Sequence, residues 1–375
     1  MLSLESAADF DRPYTSQEFQ RVKRRHSTFQ PARFSIERLG PNLSECSFIR
    51  QVLQTKCSER LLQSRYYDII GEQTISIPRT KHAITFSIIN SIMTNLVKEQ
   101  GTNVCTGGRV QLYLAGDPES ANQQVVNEAT VVNFRFPRQC GEAKLRQAKL
   151  IFVPLNIRWI QSPRAVERAK TQGRNFKCSS ECPEGHAQAL LIDTEDKTIE
   201  FYEPNGKNVP WYKPISSYLT RLFKHDRHFS SYTVLDYAAC LPNRGVQQIA
   251  QRPQCAYFSN LYAAVRLLCP EIEPAAIIIE FIALKQGGVL NLLQRFHCFL
   301  VEYAQSLGLF QAVEQLPRFY TRVLNKLLNF ERNQQRNQQR RPKQYYESMV
   351  QKAETVAFVD ILSAIKILNS VDREL

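Results

Sequence analysis

The chain lacks any apolar run long enough to cross a bilayer. Its longest, Ala275 to Leu284, is broken by Glu280 and reaches about half of the roughly 20 residues that a spanning helix needs, so no membrane span is expected. Between Met1 and Pro13 there is no continuous apolar segment. Glu5, Asp9 and Asp11 stand there instead, and no secretory signal is read. No repeat of fixed period is found, which excludes a solenoid. Glycine is only 14 of 375 residues, far from a collagen composition. Acidic residues are the scarcer charge, 35 against 48 Lys plus Arg, and the net +13 favours polyanions or acidic protein surfaces as partners.

What is present is an ordinary globular balance, 43% apolar and 22% charged, enough to bury one or two cores and too apolar for bulk disorder. Ten cysteines in a chain read as unsecreted are expected to be reduced thiols. Cys46, Cys57, Cys105, Cys140, Cys240, Cys269 and Cys298 read mostly as small buried filler. The expected localisation is intracellular, in cytoplasm or nucleus, a host cell or a virion included.

Apolar spacing divides the chain into four segments. Residues 1–40 are a basic N-terminal arm with Arg21, Lys23, Arg24, Arg25 and His26. Residues 41–105 carry three-and-four apolar spacing over Leu43 to Leu62 and Ile84 to Val97, predicting helices. Residues 106–270 hold β-rich runs at Val110 to Leu114, Thr130 to Phe134 and Leu150 to Leu155. A polar stretch, Gln161 to Glu184, separates these from Ala187 to Ile192 and Thr198 to Tyr202, which the turn 194–197 joins as a hairpin. A helix over Trp211 to Phe223, a strand over Tyr232 to Tyr237 and a helix from Ala256 to Leu268 follow. Residues 271–375 read as helices at Pro274 to Leu284, Val289 to Leu307, Tyr320 to Phe330 and Met349 to Leu368. The tract ERNQQRNQQRRPK, 331–343, has no apolar residue and is read as a solvated linker or a basic polyanion or nucleic-acid contact. The fold class is α+β, a mixed sheet flanked by helices with a helical C-terminal third.

Three positions have types and spacings that fit a thiol nucleophile with its helpers. His186 stands at the start of one hairpin strand, and Glu203, seventeen residues on, ends the next in the string Glu203-Pro204-Asn205-Gly206. A hairpin brings the two together, and the carboxylate can fix the imidazole tautomer and stabilise its cation. Cys255 opens a helix, where the macrodipole and a neighbouring imidazolium both favour thiolate. Upstream glutamines, Gln248 and Gln251 among them, offer amide donors for an acyl oxyanion. A rival use of His186 is zinc ligation with Cys178 and Cys182 in C-x3-C-x3-H spacing, though no fourth ligand lies close in sequence. His225 and His228 read as exposed bystanders.

Ile151-Phe152-Val153-Pro154-Leu155-Asn156-Ile157, Gly185-His186, Leu190-Leu191-Ile192-Asp193 and Thr198-Ile199 resemble the core of the clan CE cysteine proteases. That clan includes SUMO-deconjugating and adenovirus-type processing proteases and the related YopJ-type acetyltransferases. The resemblance covers roughly residues 148–268. It implies a papain-like or adenain-like fold, with His186 as general base, Glu203 as orienting acid, Cys255 as nucleophile and Gln248, seven residues before it, as oxyanion donor. Gln251 competes for that last role. Phe258 falls on the aromatic position three past the nucleophile, whereas Gln254-Cys255-Ala256 replaces the usual Asp-Cys-Gly and Ala187 replaces the aromatic after the histidine. The implied function is a cysteine protease for peptide or isopeptide bonds, its protein substrate a ubiquitin-like modifier conjugate or a viral polyprotein, with no cofactor. The alternatives are an acetyltransferase with the same triad and an inactive basic binding module.

Overall fold

The computed structural model describes residues 39–58, 61, 74–77, 80–99, 104–106, 110–116, 124–125, 148–172, 176, 185–226, 228–235, 245–250, 255–330, 342–357 and 361–375. The arm, the run Thr130 to Phe134, Cys178, Cys182, Gln251 and Arg332 to Arg341 lie outside the described residues.

The strands are β1 (Thr74–Ile77), β2 (Thr80–Ala83), β3 (Val104–Thr106), β4 (Val110–Ala115), β5 (Gln124–Val125), β6 (Leu150–Ile160), β7 (Gly185–Asp193), β8 (Thr198–Tyr202) and β9 (Thr233–Leu235). The helices are α1 (Pro41–Glu45), α2 (Ser47–Gln54), α3 (Ile84–Glu99), α4 (Pro163–Gln172), α5 (Tyr212–Lys224) and α6 (Val246–Ala250). They continue with α7 (Cys255–Leu268), α8 (Pro274–Ala283), α9 (Lys285–Ser306), α10 (Leu309–Leu328), α11 (Lys343–Ala357) and α12 (Ile361–Glu374). The class is α+β with a mixed sheet. No single helix among the described residues is long and apolar enough to cross a membrane.

Two compact units emerge among the described residues. One comprises 39–54 with Val97–Gln294 and contains the large sheet; the other comprises Thr55–Leu96 with Arg295–Leu375 and is mainly helical. In the first unit the sheet runs in the order β5-β4-β6-β7-β8-β9, with β3 also on β6. β6 is its long central strand, parallel to β3 and β4 and antiparallel to β7. It is buried along almost its whole length, which suits its near-continuous apolar sequence. Pro154 is tolerated in this interior strand because it falls between the two parallel partners: β3 pairs as far as Phe152 and β4 begins at Leu155.

The predicted hairpin is present. β7 and β8 are antiparallel, with Ala189 opposite Tyr202 and Asp193 opposite Thr198. Asp193 closes the turn by accepting the N–H groups of Glu195 and Asp196 at 3.0 Å each, and Lys197 takes a positive φ of 52° there. α7 packs on β7, and every residue from Tyr257 to Leu268 is buried, so the helix is covered on all sides rather than striped. α4 lies on β6, with Ala165 and Ala169 packing against Tyr113, Ile160 and Phe176.

The second unit holds the β1–β2 hairpin and α10 to α12. Tyr320 O–H donates to Val350 O at 2.8 Å, tying α10 to α11, and Ile361 N–H donates to Ser91 Oγ at 3.0 Å, tying α12 to α3.

Several expectations are corrected. Leu43 to Leu62 is not one helix: α1 and α2 are separated at Cys46, whose backbone is extended, and 55–58 are not helical. Met349 to Leu368 is likewise divided, between α11 and α12. Four cysteines read as reduced filler are bridged instead, Cys46 to Cys269 and Cys57 to Cys298, with Cα separations of 5.7 and 5.6 Å that suit a disulfide. The first bridge lies within the sheet-containing unit and the second within the helical unit. The polar stretch Gln161 to Glu184 contains α4, and the helix expected from Tyr320 already begins at Leu309.

Candidate active site

β7, the turn after β8 and the start of α7 converge on one imidazole. His186 occupies the second position of β7, opposite Ile157 of β6, and is buried. Its Nε2 meets Glu203 Oε1 at 2.7 Å. Glu203 is fully buried immediately past β8, in a turn closed by the Gly206 N–H donating to Glu203 O at 3.0 Å. Pro204 at the second position presets that turn, and Gly206 supplies a positive φ of 84°. With Nε2 engaged, Nδ1 remains for the thiol. Cys255 is hydrogen-bonded to the same imidazole.

Cys255 is half-buried as the first residue of α7, and its Sγ accepts the Ala187 N–H at 3.4 Å. Ala187 O in turn accepts the Ser259 hydroxyl at 2.9 Å, so both backbone groups of the residue after the histidine bond to side chains of α7. Cys255 is a free cysteine.

The electrostatics make an ion pair. Burial disfavours a charged imidazole, but the Glu203 charge and the hydrogen bond with Cys255 outweigh it and push His186 up to about 10. Burial likewise opposes a thiolate at Cys255, yet the hydrogen bond and charge of His186, aided by the Ala187 N–H, bring the thiol below its ordinary value. The two groups titrate as a pair, with proton on nitrogen and charge on sulfur.

Glu203 takes four donors. Oε1 accepts the Asn205 N–H at 2.9 Å besides His186, and Oε2 accepts Trp211 Nε1–H at 2.9 Å and the Gln188 amide. The chain's two tryptophans meet here, with ring centroids 5.2 Å apart and at 72° to each other, and Trp211 lies 5.4 Å from the His186 ring.

The segment leading to Cys255 docks on the acid's turn. Gly245 N–H donates to Asn205 O, and Gln247 N–H to Pro204 O, both at 2.9 Å. The approach is so close that a Cβ at position 245 would come within 2.3 Å of backbone atoms of Pro204, Asn205 and Gly206, which requires glycine.

His186, Glu203 and Cys255 are thus brought together. Gln248 lies on α6 with its side chain exposed, while its neighbour Gln247 is half-buried with an Oε1 that has no hydrogen-bond partner among the described residues. Phe258 is buried in α7. His225 and His228 are exposed beyond the end of α5. No group of three metal-ligating side chains occurs among the described residues. Sequence reasoning missed Gln188, Trp211 and Gly245. Gln188 was signalled by its place two residues after His186, on the same strand face, and Trp211 by tryptophan's rarity in the chain.

No family model, curated protein or solved structure matches the chain.

Proposed function

We propose that the chain is a cysteine peptidase of the clan CE type, with the papain-like or adenain-like arrangement of that clan. The continuous line of contacts from Glu203 through His186 to Cys255 supports this reading most directly. In the proposed reaction the Cys255 thiolate attacks the substrate carbonyl, forming the C–S bond. As the C–N bond breaks, His186 delivers its proton to the leaving amine. Water, deprotonated by the now neutral His186, then releases the acid product and regenerates the thiol. The oxyanion is held by backbone N–H groups at the α7 start and by an upstream glutamine amide, for which Gln248 is the proposed donor. The proposed substrate is a protein, either a ubiquitin-like modifier conjugate or a polyprotein.

The test treats the full chain with vinyl-sulfone probes built on ubiquitin-like C-termini, in parallel with acetyl-coenzyme A, and reads intact mass. A probe adduct on Cys255 that disappears in Cys255→Ala and His186→Ala supports the peptidase. Acetyl-Cys255 without probe adduct would replace it with an acetyltransferase. An adduct that persists undiminished in His186→Ala overturns the triad.

A further inference from the structure

The two oxygens of Glu203 have different work. Oε1 faces His186 Nε2 at 2.7 Å. Oε2 faces away from the thiol chemistry, toward Trp211 Nε1–H at 2.9 Å and the Gln188 amide. Oε1 also accepts the Asn205 N–H at 2.9 Å, but a glutamate's terminal torsion is broad, and contacts gathered on one oxygen leave the carboxylate free to turn about it. Two further donors converging on the second oxygen fix its plane.

We propose that Gln188 and Trp211 are positioning residues of the site: two donors that anchor Oε2 of Glu203 and thereby keep Oε1 on His186. The proposal rests on the reading of Cys255 and His186 as a working nucleophile and base.

Each residue is placed for this by the fold. Gln188 follows His186 by two along β7, so both side chains leave the same face of the strand. The β7–β8 register pairs Ala189 with Tyr202, and one further step sets Gln188 opposite Glu203. The amide is 1% exposed, and its Oε1 has no hydrogen-bond partner among the described residues. A position that served only packing would be better filled by an apolar side chain, because a buried acceptor without a partner is costly. What the amide gains in return is its bond to Glu203. Trp211 comes from the far end of the acid's own loop, just ahead of α5. Its ring packs edge-on against the buried Trp159, which orients the indole N–H toward the carboxylate.

The experiment uses Trp211→Phe, which keeps a ring and removes the donor, and Gln188→Met, which keeps length and volume and does the same. Cys255 alkylation by iodoacetamide is followed against pH, with intact mass confirming the site, His186 protonation is followed by NMR, and thermal melting is recorded. In the wild-type chain, alkylation continues well below the ordinary thiol range and depends on His186. In each variant His186 is expected to titrate lower and the thiolate limb to move up by about one unit, slowing alkylation at pH 6 by about tenfold. The double variant is expected to shift further. A pH profile unmoved in either variant overturns the proposal, even if its melting temperature falls, since a packing role predicts that pattern. Should one variant fail to fold, the other decides. If wild-type alkylation itself shows no low-pH thiolate, or is unchanged in His186→Ala, it is the triad reading that fails.

Discussion

Glu200 at the centre of β8 and Glu203 just past its end lie three residues apart, and both are buried, at 1% and 0% exposure. Their surroundings differ in one chemical respect. Glu200 is met by Arg266, with Nη2 at 2.6 Å and Nε at 3.0 Å, and by the Tyr262 O–H at 3.0 Å. Arg266 also donates through Nη1 to the carbonyls of Pro270 and Ile272. Its guanidinium never releases a proton in the working range, so the pair fastens β8 to α7 and is otherwise inert. Glu203 is met by neutral donors and one imidazole, a partner that can take up or release a proton. A buried carboxylate marks chemistry only when its partner titrates. Proximity to the nucleophile's helix does not decide it, because Glu200 reaches that helix too.

The comparison breaks most sharply at Cys255 and His186. Cys255→Ala and His186→Ala are each expected to cut peptide turnover by about 10³-fold or more; Cys255→Ala should leave urea denaturation close to wild type, whereas His186→Ala strands the buried Glu203 carboxylate and should lower stability. Wild-type turnover in Cys255→Ala would remove the site from consideration.

Glu203→Gln is expected to cost about 10²-fold, since an amide still orients the ring but no longer stabilises its cation. The pH profile sharpens the point. In the wild-type protein His186 holds its proton up to about 10, so activity should extend to an alkaline limb there. In the variant that limb moves down, because Glu203 is the strongest influence raising His186. The linked stability has a defined sign. For the imidazole, raised in the folded state, the contribution is present below about 6.5 and is lost as pH climbs through about 10. For the thiol, lowered in the folded state, it is present above about 9 and is lost as pH falls through the folded value.

Gly245→Ala drives a methyl into the backbone of the acid's turn. The shift should separate the Glu203 turn from the approach to Cys255, lowering turnover by about tenfold and stability by about 1–3 kcal/mol. Parallel kinetic and urea measurements check both.

Glu200→Gln is expected to affect turnover least and stability strongly, by about 3–5 kcal/mol, because it strands a buried guanidinium. The double replacement Glu200→Leu with Arg266→Met should recover most of that loss in urea titration. If Glu200→Gln instead moved the alkaline limb as Glu203→Gln does, the distinction between the two carboxylates would collapse.

Much of this arrangement was legible in the residues. β7 and β8 are short and apolar around a turn-forming 194–197, so the hairpin and with it the His186–Glu203 encounter followed from pattern alone. Cys255 after a polar loop and before a long apolar stretch announced a helix start. The failures have physical reasons too. α4 buries only two alanines, leaving a sequence so polar that it showed only as a polar stretch between strands. Cys46 and Cys57 find partners 223 and 241 residues away, a distance over which no local spacing carries information. Gln188 and Trp211 act on the acid and not on the thiol, so a search for nucleophile, base and acid passes over them.

The bridge between Cys46 and Cys269 is sealed, with its residues 0% and 1% exposed, whereas Cys255 is half-buried and its thiol is held below its ordinary value by His186. Thiol–disulfide exchange depends on access and on thiolate character. A small disulfide in the surroundings would therefore cap Cys255 first, silencing it, and a small thiol would strip that cap long before it reached the buried bridge. Exchange at Cys255 would leave the buried Cys46–Cys269 bridge untouched.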